Sequence, residues 1–278
     1  MDSKKKYYLS IVYIVAVMTV IFSMAALSTF AWFTSNQKVY TTTVNATTGS
    51  DDVKLLLGGT KDQLSENTCV ITQDNMGDEI VLYPVSSADL KHFVAMEGSG
   101  TKATYKTVTD QDQYYYHGVF YLQALSDQKR QVTLYLDERE ESLLEAVGNT
   151  EVLNASRFGL VINGQGRIIT LTDENNAEKD QIENTYLNGE VVGQEQVITV
   201  DENGNPVAVS LQPLYMKDAA IQKHGETDVY PDYMYTITTN EIYTCDVYFY
   251  LEGTDKDCSD AVSFQQLDLA IHLAGVVG

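Results

Sequence analysis

From Tyr7 to Phe33 the chain runs for 27 residues without a formal charge, directly after Lys4-Lys5-Lys6. This segment limits the fold more than any other. Between Ile11 and Phe22 every side chain is apolar or aromatic except Thr19. A helix of about 20 apolar residues crosses a hydrocarbon core of about 30 Å. Such a segment is a poor fit for the interior of a soluble β domain. The three lysines stay on the cytoplasmic side, so the C-terminal part faces out. Three regions are therefore expected. Residues 1-33 are a signal peptide or transmembrane anchor, 34-50 a tether or N-terminal strand, and 51-278 an extracellular β-sandwich domain.

The sequence leaves two fates open for the leader. Signal-peptide apolar regions usually span about 7–15 residues, and this one is longer, which favours a retained anchor. Yet Ser23 to Ala31 turns small and polar, as before a processing site. Cleavage between Ala31 and Trp32 places Thr29 at the −3 position, an acceptable small residue. A type IV prepilin would carry a glycine before the run and a glutamate soon after it, and neither is present.

Charge narrows the partners. The whole chain has a formal net charge of −21, and the part beyond residue 33 carries 15 basic and 38 acidic residues. Nucleic acid and anionic lipid headgroups repel such a surface, so no nucleic-acid partner is expected. Membrane contact is expected through residues 7-33 alone.

The exterior reads as strands. Residues 34-50 are rich in threonine and valine, types that favour extended chain. Period-2 patterns mark Val53 to Leu57, Glu79 to Tyr83, Tyr114 to Leu125 and Arg130 to Leu136. Asn163-Gly164-Gln165-Gly166 sits between Phe158–Ile162 and Arg167–Leu171 and predicts a hairpin. Asp201 to Pro206 is a second turn cluster between Gln196–Val200 and Val207–Leu211. Tyr243 to Leu251 and Leu267 to Leu273 alternate cleanly and close the domain. Asp137 to Val147, acidic at its start and followed by Gly148, predicts a short helix. Residues 173-195 and 216-232 are polar and expected to be long loops or insertions. Many short strands with almost no helix predict a mainly β protein, an antiparallel sandwich behind an N-terminal membrane helix.

Several segments together resemble the TasA/camelysin-like surface proteins of Firmicutes, exported through a SipW-type signal peptidase, and especially their uncharacterised clostridial branch. The shared segments are Ser28-Thr29-Phe30-Ala31-Trp32-Phe33-Thr34, Gly118-Val119-Phe120-Tyr121-Leu122, Val132 to Asp137, Asn154 to Phe158, and Val247 to Cys258. They cover most of the chain in the same order, and the Ala-Trp-Phe start with the Leu-Glu-Gly-Thr-Asp-x-Asp-Cys end is the most specific pair. The resemblance implies a jelly-roll β-sandwich displayed at the cell surface or secreted after cleavage. It further implies biofilm-matrix fibres, in which an N-terminal strand of one subunit completes the sheet of the next. That mode requires a free N-terminus. The long apolar run departs from the shorter signals of the fibre formers.

Camelysin-type members are described as metalloproteases, so catalytic patterns matter. His92, His117, His224 and His272 include no pair at H-E-x-x-H spacing, the arrangement that puts two zinc ligands on one helix face. No G-x-S-x-G nucleophile turn, P-loop or dinucleotide fingerprint occurs. The expectation is a protein without catalytic, cofactor-binding or metal-binding residues, with cell-wall or matrix components, or further copies of itself, as partners. A glycan- or ligand-binding sandwich using Tyr114, Tyr115, Tyr248 and Tyr250 is the alternative. Asp201-x-Asn203-x-Asn205 has the spacing of an EF-hand start, but Pro206 replaces the glycine and a plain turn is expected. Of Cys69, Cys245 and Cys258, the preferred disulfide is Cys245–Cys258. The competing reading makes Cys245 a buried apolar residue.

Overall fold

The computed structural model describes residues 38-278, apart from 50-51, 66-67, 72, 77-81, 140-143, 148-149, 172-183, 195, 213, 259-265 and 278. The chain divides into two compact units, Met1–Ser35 and Asn36–Gly278. The apolar run and the expected Ala31–Trp32 cleavage point fall in the first, outside the described residues. Among the described residues no helix is long and apolar enough to cross a membrane.

In chain order the first strands are β1 (Lys38–Thr48), β2 (Lys54–Gly58), β3 (Thr68–Cys69), β4 (Gln73–Asp74), β5 (Pro84–Ser86), β6 (Phe93–Glu97) and β7 (Thr104–Val108). Next come β8 (Tyr116–Leu125), β9 (Gln131–Asp137), β10 (Leu144–Val147), helix α1 (Thr150–Ala155), β11 (Ser156–Ile162) and β12 (Gln165–Thr170). They are followed by β13 (Asn184–Leu187), β14 (Glu190–Gln194), β15 (Gln196–Val200), β16 (Pro206–Ser210), β17 (Leu214–Tyr215) and helix α2 (Met216–Ala219). The last are β18 (Ala220–His224), β19 (Thr227–Val229), β20 (Tyr235–Thr238), β21 (Ile242–Glu252) and β22 (Gln266–Val277).

Most of these strands form two large sheets. One has the order β19-β18-β9-β22-β1-β3, with β10 also on β22 and β20 also on β9. The other runs β17-β12-β11-β21-β5-β6-β7, and β8 joins it through β21 while carrying β2 and β4. The period-2 patterns explain the interior. Val132, Leu134, Leu136, Ile271 and Leu273 of the first sheet meet Phe120, Leu122, Phe158, Leu160, Val247 and Phe249 of the second in one buried core. Each such side chain contributes about 1.5–3 kcal/mol when taken from water. A smaller cluster of Leu90, Phe93, Tyr115, Ile168 and Tyr250 lies on the opposite face of the second sheet. It takes the alternate residues of β21 and β12, so this sheet is apolar on both sides.

Three expectations need correction. The helix expected over Asp137 to Val147 does not appear among the described residues: Asp137 ends β9, and Leu144–Val147 pairs antiparallel with Gln266–Leu269 of β22. A free edge on β22 outweighs weak local helix propensity there. The polar stretches at 173-195 and 216-232 contain the β13–β14 hairpin, α2 and the β18–β19 hairpin, although 172-183 lies outside the described residues. The sheets are mixed rather than purely antiparallel, since β1–β22, β12–β17, β18–β9 and β21–β5 pair in parallel. The hairpin between β11 and β12 matches its sequence signal: Asn163 and Gly164 have φ of 52° and 71°, the paired positive values of a type I′ turn.

Candidate functional site

A polar cluster lies on the outward face of β8 and β21. Alternation puts Phe120 and Val247 inside and leaves His117 and Asp246 outside. Register then does what spacing cannot show. His117 pairs with Tyr248, and Val119 pairs with Asp246, so His117 and Asp246 are diagonal neighbours. His117 Nε2 lies 3.1 Å from Asp246 Oδ1, and its Nδ1 lies 2.9 Å from Asp110 Oδ2. The imidazole stacks on the Tyr248 ring at 4.4 Å and 4°. Tyr115 donates its hydroxyl to the other oxygen of Asp110 at 2.8 Å.

Asn75, just after β4, braces the arrangement. It donates to the Asp110 and Tyr115 carbonyls and accepts from the His117 backbone N–H. Asp110 opens the short 3₁₀ turn Asp110–Asp112, in which Asp112 accepts from the Thr109 backbone and hydroxyl. Burial opposes charge on His117, but the hydrogen bonds to Asp246 and Asp110 outweigh it and raise its pKa above the ordinary value. Beside this cluster is an open groove of about 460 Å³, lined by Leu90, Lys91, Val108, Thr109, Asp110, Gln111, Tyr115 and Tyr248.

Of the four tyrosines expected to face a ligand, Tyr115 and Tyr250 are buried in the smaller cluster, with Tyr115 stacked on Phe93 at 3.8 Å. Ordinary strand packing accounts for these two, rather than the exposed placement that a ligand-binding sandwich would use. Tyr114 and Tyr248 are half-buried against the same cluster. The shared apolar face on the outside of the second sheet is the physical reason.

A second polar cluster forms where the chain leaves β21. Arg157 donates to Asp255 at 2.7 Å, and Asn154 donates to Asp257 at 2.7 Å. Glu252 is buried and accepts from the backbone and hydroxyl of Thr254. Burial pushes the Glu252 carboxyl up, against the pull of Arg157, Ser86 and Thr254. These residues include much of the Leu-Glu-Gly-Thr-Asp-x-Asp-Cys segment, which therefore acts as a turn tied to the start of β11.

The three cysteines are free thiols. Cys245 faces the core from β21, seven residues or about 23 Å of extended strand before Glu252. Cys258 lies in the field of Asp255, Glu252 and Arg157, at the end of that strand. Cys245 and Cys258, the expected pair, are not joined in this structure, and both are buried. Asp201 forms the expected turn: its Oδ1 accepts from the Asn203 and Asn205 backbones at 2.8 and 2.9 Å. Among the described residues no three His, Cys, Asp or Glu side chains are grouped to hold a metal.

No protein-family model, no curated protein and no solved structure matches the chain. Sequence reading missed Asp110 and Asp246. The outward alternation of Asp246 and His117 was visible, but their neighbourhood depends on strand register.

Proposed function

We propose that this is a bacterial cell-surface structural or interaction protein, carried to the exterior by residues 7-33 and built there as a jelly-roll-like sandwich of the TasA/camelysin kind. Its strand-forming N-terminal segment completes the sheet of another copy, giving a fibre or matrix subunit.

One observation carries this reading. Lys38–Thr48, the segment after the apolar run, pairs in parallel with β22 from Lys38↔Gln266 to Thr48↔Gly275. On its other side it meets β3 only at Val44 and Asn45 among the described residues. A strand near the start of the exterior that pairs along its length with one neighbour is the kind of element that a second copy can supply. The acidic exterior suits a soluble, displayed surface.

Deleting residues 34-48 is expected to abolish filaments seen by electron microscopy, and filaments of unchanged abundance would refute strand addition. N-terminal sequencing of protein recovered from cells separates the two fates of the leader. A start at Trp32 supports export with a free N-terminus, whereas an intact Met1 or Asp2 means a fixed anchor.

The alternative is a monomeric ligand-binding module. It is supported by the groove beside Leu90 and Tyr248. A glycan array without binding removes it.

A further inference from the structure

His117 has a carboxylate oxygen within hydrogen-bond reach of each ring nitrogen, Asp110 at 2.9 Å and Asp246 at 3.1 Å. A neutral imidazole carries one N–H and one lone pair, so it can donate to only one of them. The other contact would set a lone pair against a carboxylate. Only the imidazolium satisfies both. The ring has 18% of its side chain exposed, so water replaces neither contact fully. Its face rests on Tyr248, an arrangement that favours a cation.

The charged groups in contact with it act in one direction. Asp110 faces it from the turn before β8, Asp246 and Tyr248 from β21, and Tyr115 from the residue just before β8 through Asp110. Asn75 contributes neutral hydrogen bonds. Lys91 lies across the groove wall, and Asp89 acts on the Tyr248 phenol. No cation contacts the ring among the described residues, and both contacting carboxylates favour protonation.

The two aspartates are not held equally. Asp110 is fixed by the Tyr115 hydroxyl at its other oxygen and by Asn75 at its carbonyl. Asp246 has the longer contact of the two.

We propose that His117 is a proton-operated clamp that joins Asp110 to Asp246 as imidazolium and, on losing its proton, keeps Asp110 and releases Asp246. Release leaves an unpaired carboxylate on the outer face next to the groove, which becomes more anionic by one charge. Thr109, Asp110 and Gln111 line that groove, so its charge follows external pH through a single proton. The inference does not depend on strand addition.

The test is an imidazole ¹⁵N titration of the full chain in detergent, with labelled histidine and His117→Gln to assign the signal. The expected midpoint lies above about 6.5. Both nitrogens are protonated below it, and Nδ1 alone above it. Asp246→Asn and Asp110→Asn are each expected to lower the midpoint by about one pH unit. A midpoint at or below about 6.5 in the unsubstituted chain overturns the clamp, and so does a neutral form protonated at Nε2. Thermal unfolding gives an independent reading. A folded pKa above the unfolded one adds stability that is complete below about pH 6.5 and disappears as pH rises through the folded value. The unsubstituted chain should therefore exceed His117→Gln in melting temperature by more at pH 5.5 than at pH 9. An equal difference at both overturns the proposal.

Discussion

Arg157 and Asp255 meet at 2.7 Å with side chains only 12% and 17% exposed, fastening the turn after β21 to the first residues of β11. Burial acts against the guanidinium charge, yet Asp255 and Glu252 hold its pKa above the ordinary value. Replacing Arg157 with Met leaves Asp255 and buried Glu252 without their counter-charge. The expected loss is about 3–5 kcal/mol of unfolding free energy, measured by urea denaturation. Arg157→Met combined with Asp255→Asn should recover part of it, because the uncompensated charge is then reduced.

Arg139 should make folding acid-sensitive through Asp137. It grips Asp137 at 2.8 and 2.7 Å and reaches Asp228 on β19 at 2.8 Å. Burial alone would raise the Asp137 carboxyl, but hydrogen bonds from Arg139 prevail and lower it. A depressed folded pKa adds stability above the unfolded value of about 3.9, lost as pH falls through the folded value. Asp137→Asn should cost about 1–2 kcal/mol at pH 7 and visibly less at pH 3. Urea midpoints at the two pH values check this.

The thiols should be chemically quiet in the folded protein. Burial pushes Cys69 up to about 11 and holds Cys245 and Cys258 above their ordinary values. A thiol-specific chromogenic reagent at pH 8 is expected to leave Cys245 and Cys258 unmodified and to react slowly with Cys69. In denaturant, without reductant, three thiols per chain should titrate. One thiol per chain would mean a disulfide.

The hairpin between β11 and β12 offers a backbone test. Gly164 has φ of 71° and open space where a Cβ would stand, so substitution meets conformational strain without a clash. Gly164→Ala should cost about 1 kcal/mol, while Asn163→Gly should be nearly neutral. Thermal melts of the two variants give the comparison.

Strands whose pattern is locally complete follow from neighbouring residues alone. Val132, Leu134 and Leu136 alternate with polar partners, and all three are buried. Asn163-Gly164 set its hairpin because type I′ geometry demands those residues. Lys38–Thr48 was readable as a strand or a tether, and its pairing with β22 made it a strand. Tertiary structure decided what depends on distant partners. Leu144–Val147 became a strand because β22 offered it an edge, which local helix signals could not reveal. Tyr115 and Tyr250 were buried because the second sheet carries apolar residues on both faces. His117 met Asp246, 129 positions away, because the β8–β21 register set them diagonally across the sheet. Alternation fixes which face a side chain takes, since it is a property of consecutive residues. Register and sheet order fix which neighbour it meets, and they emerge only when the whole core has packed.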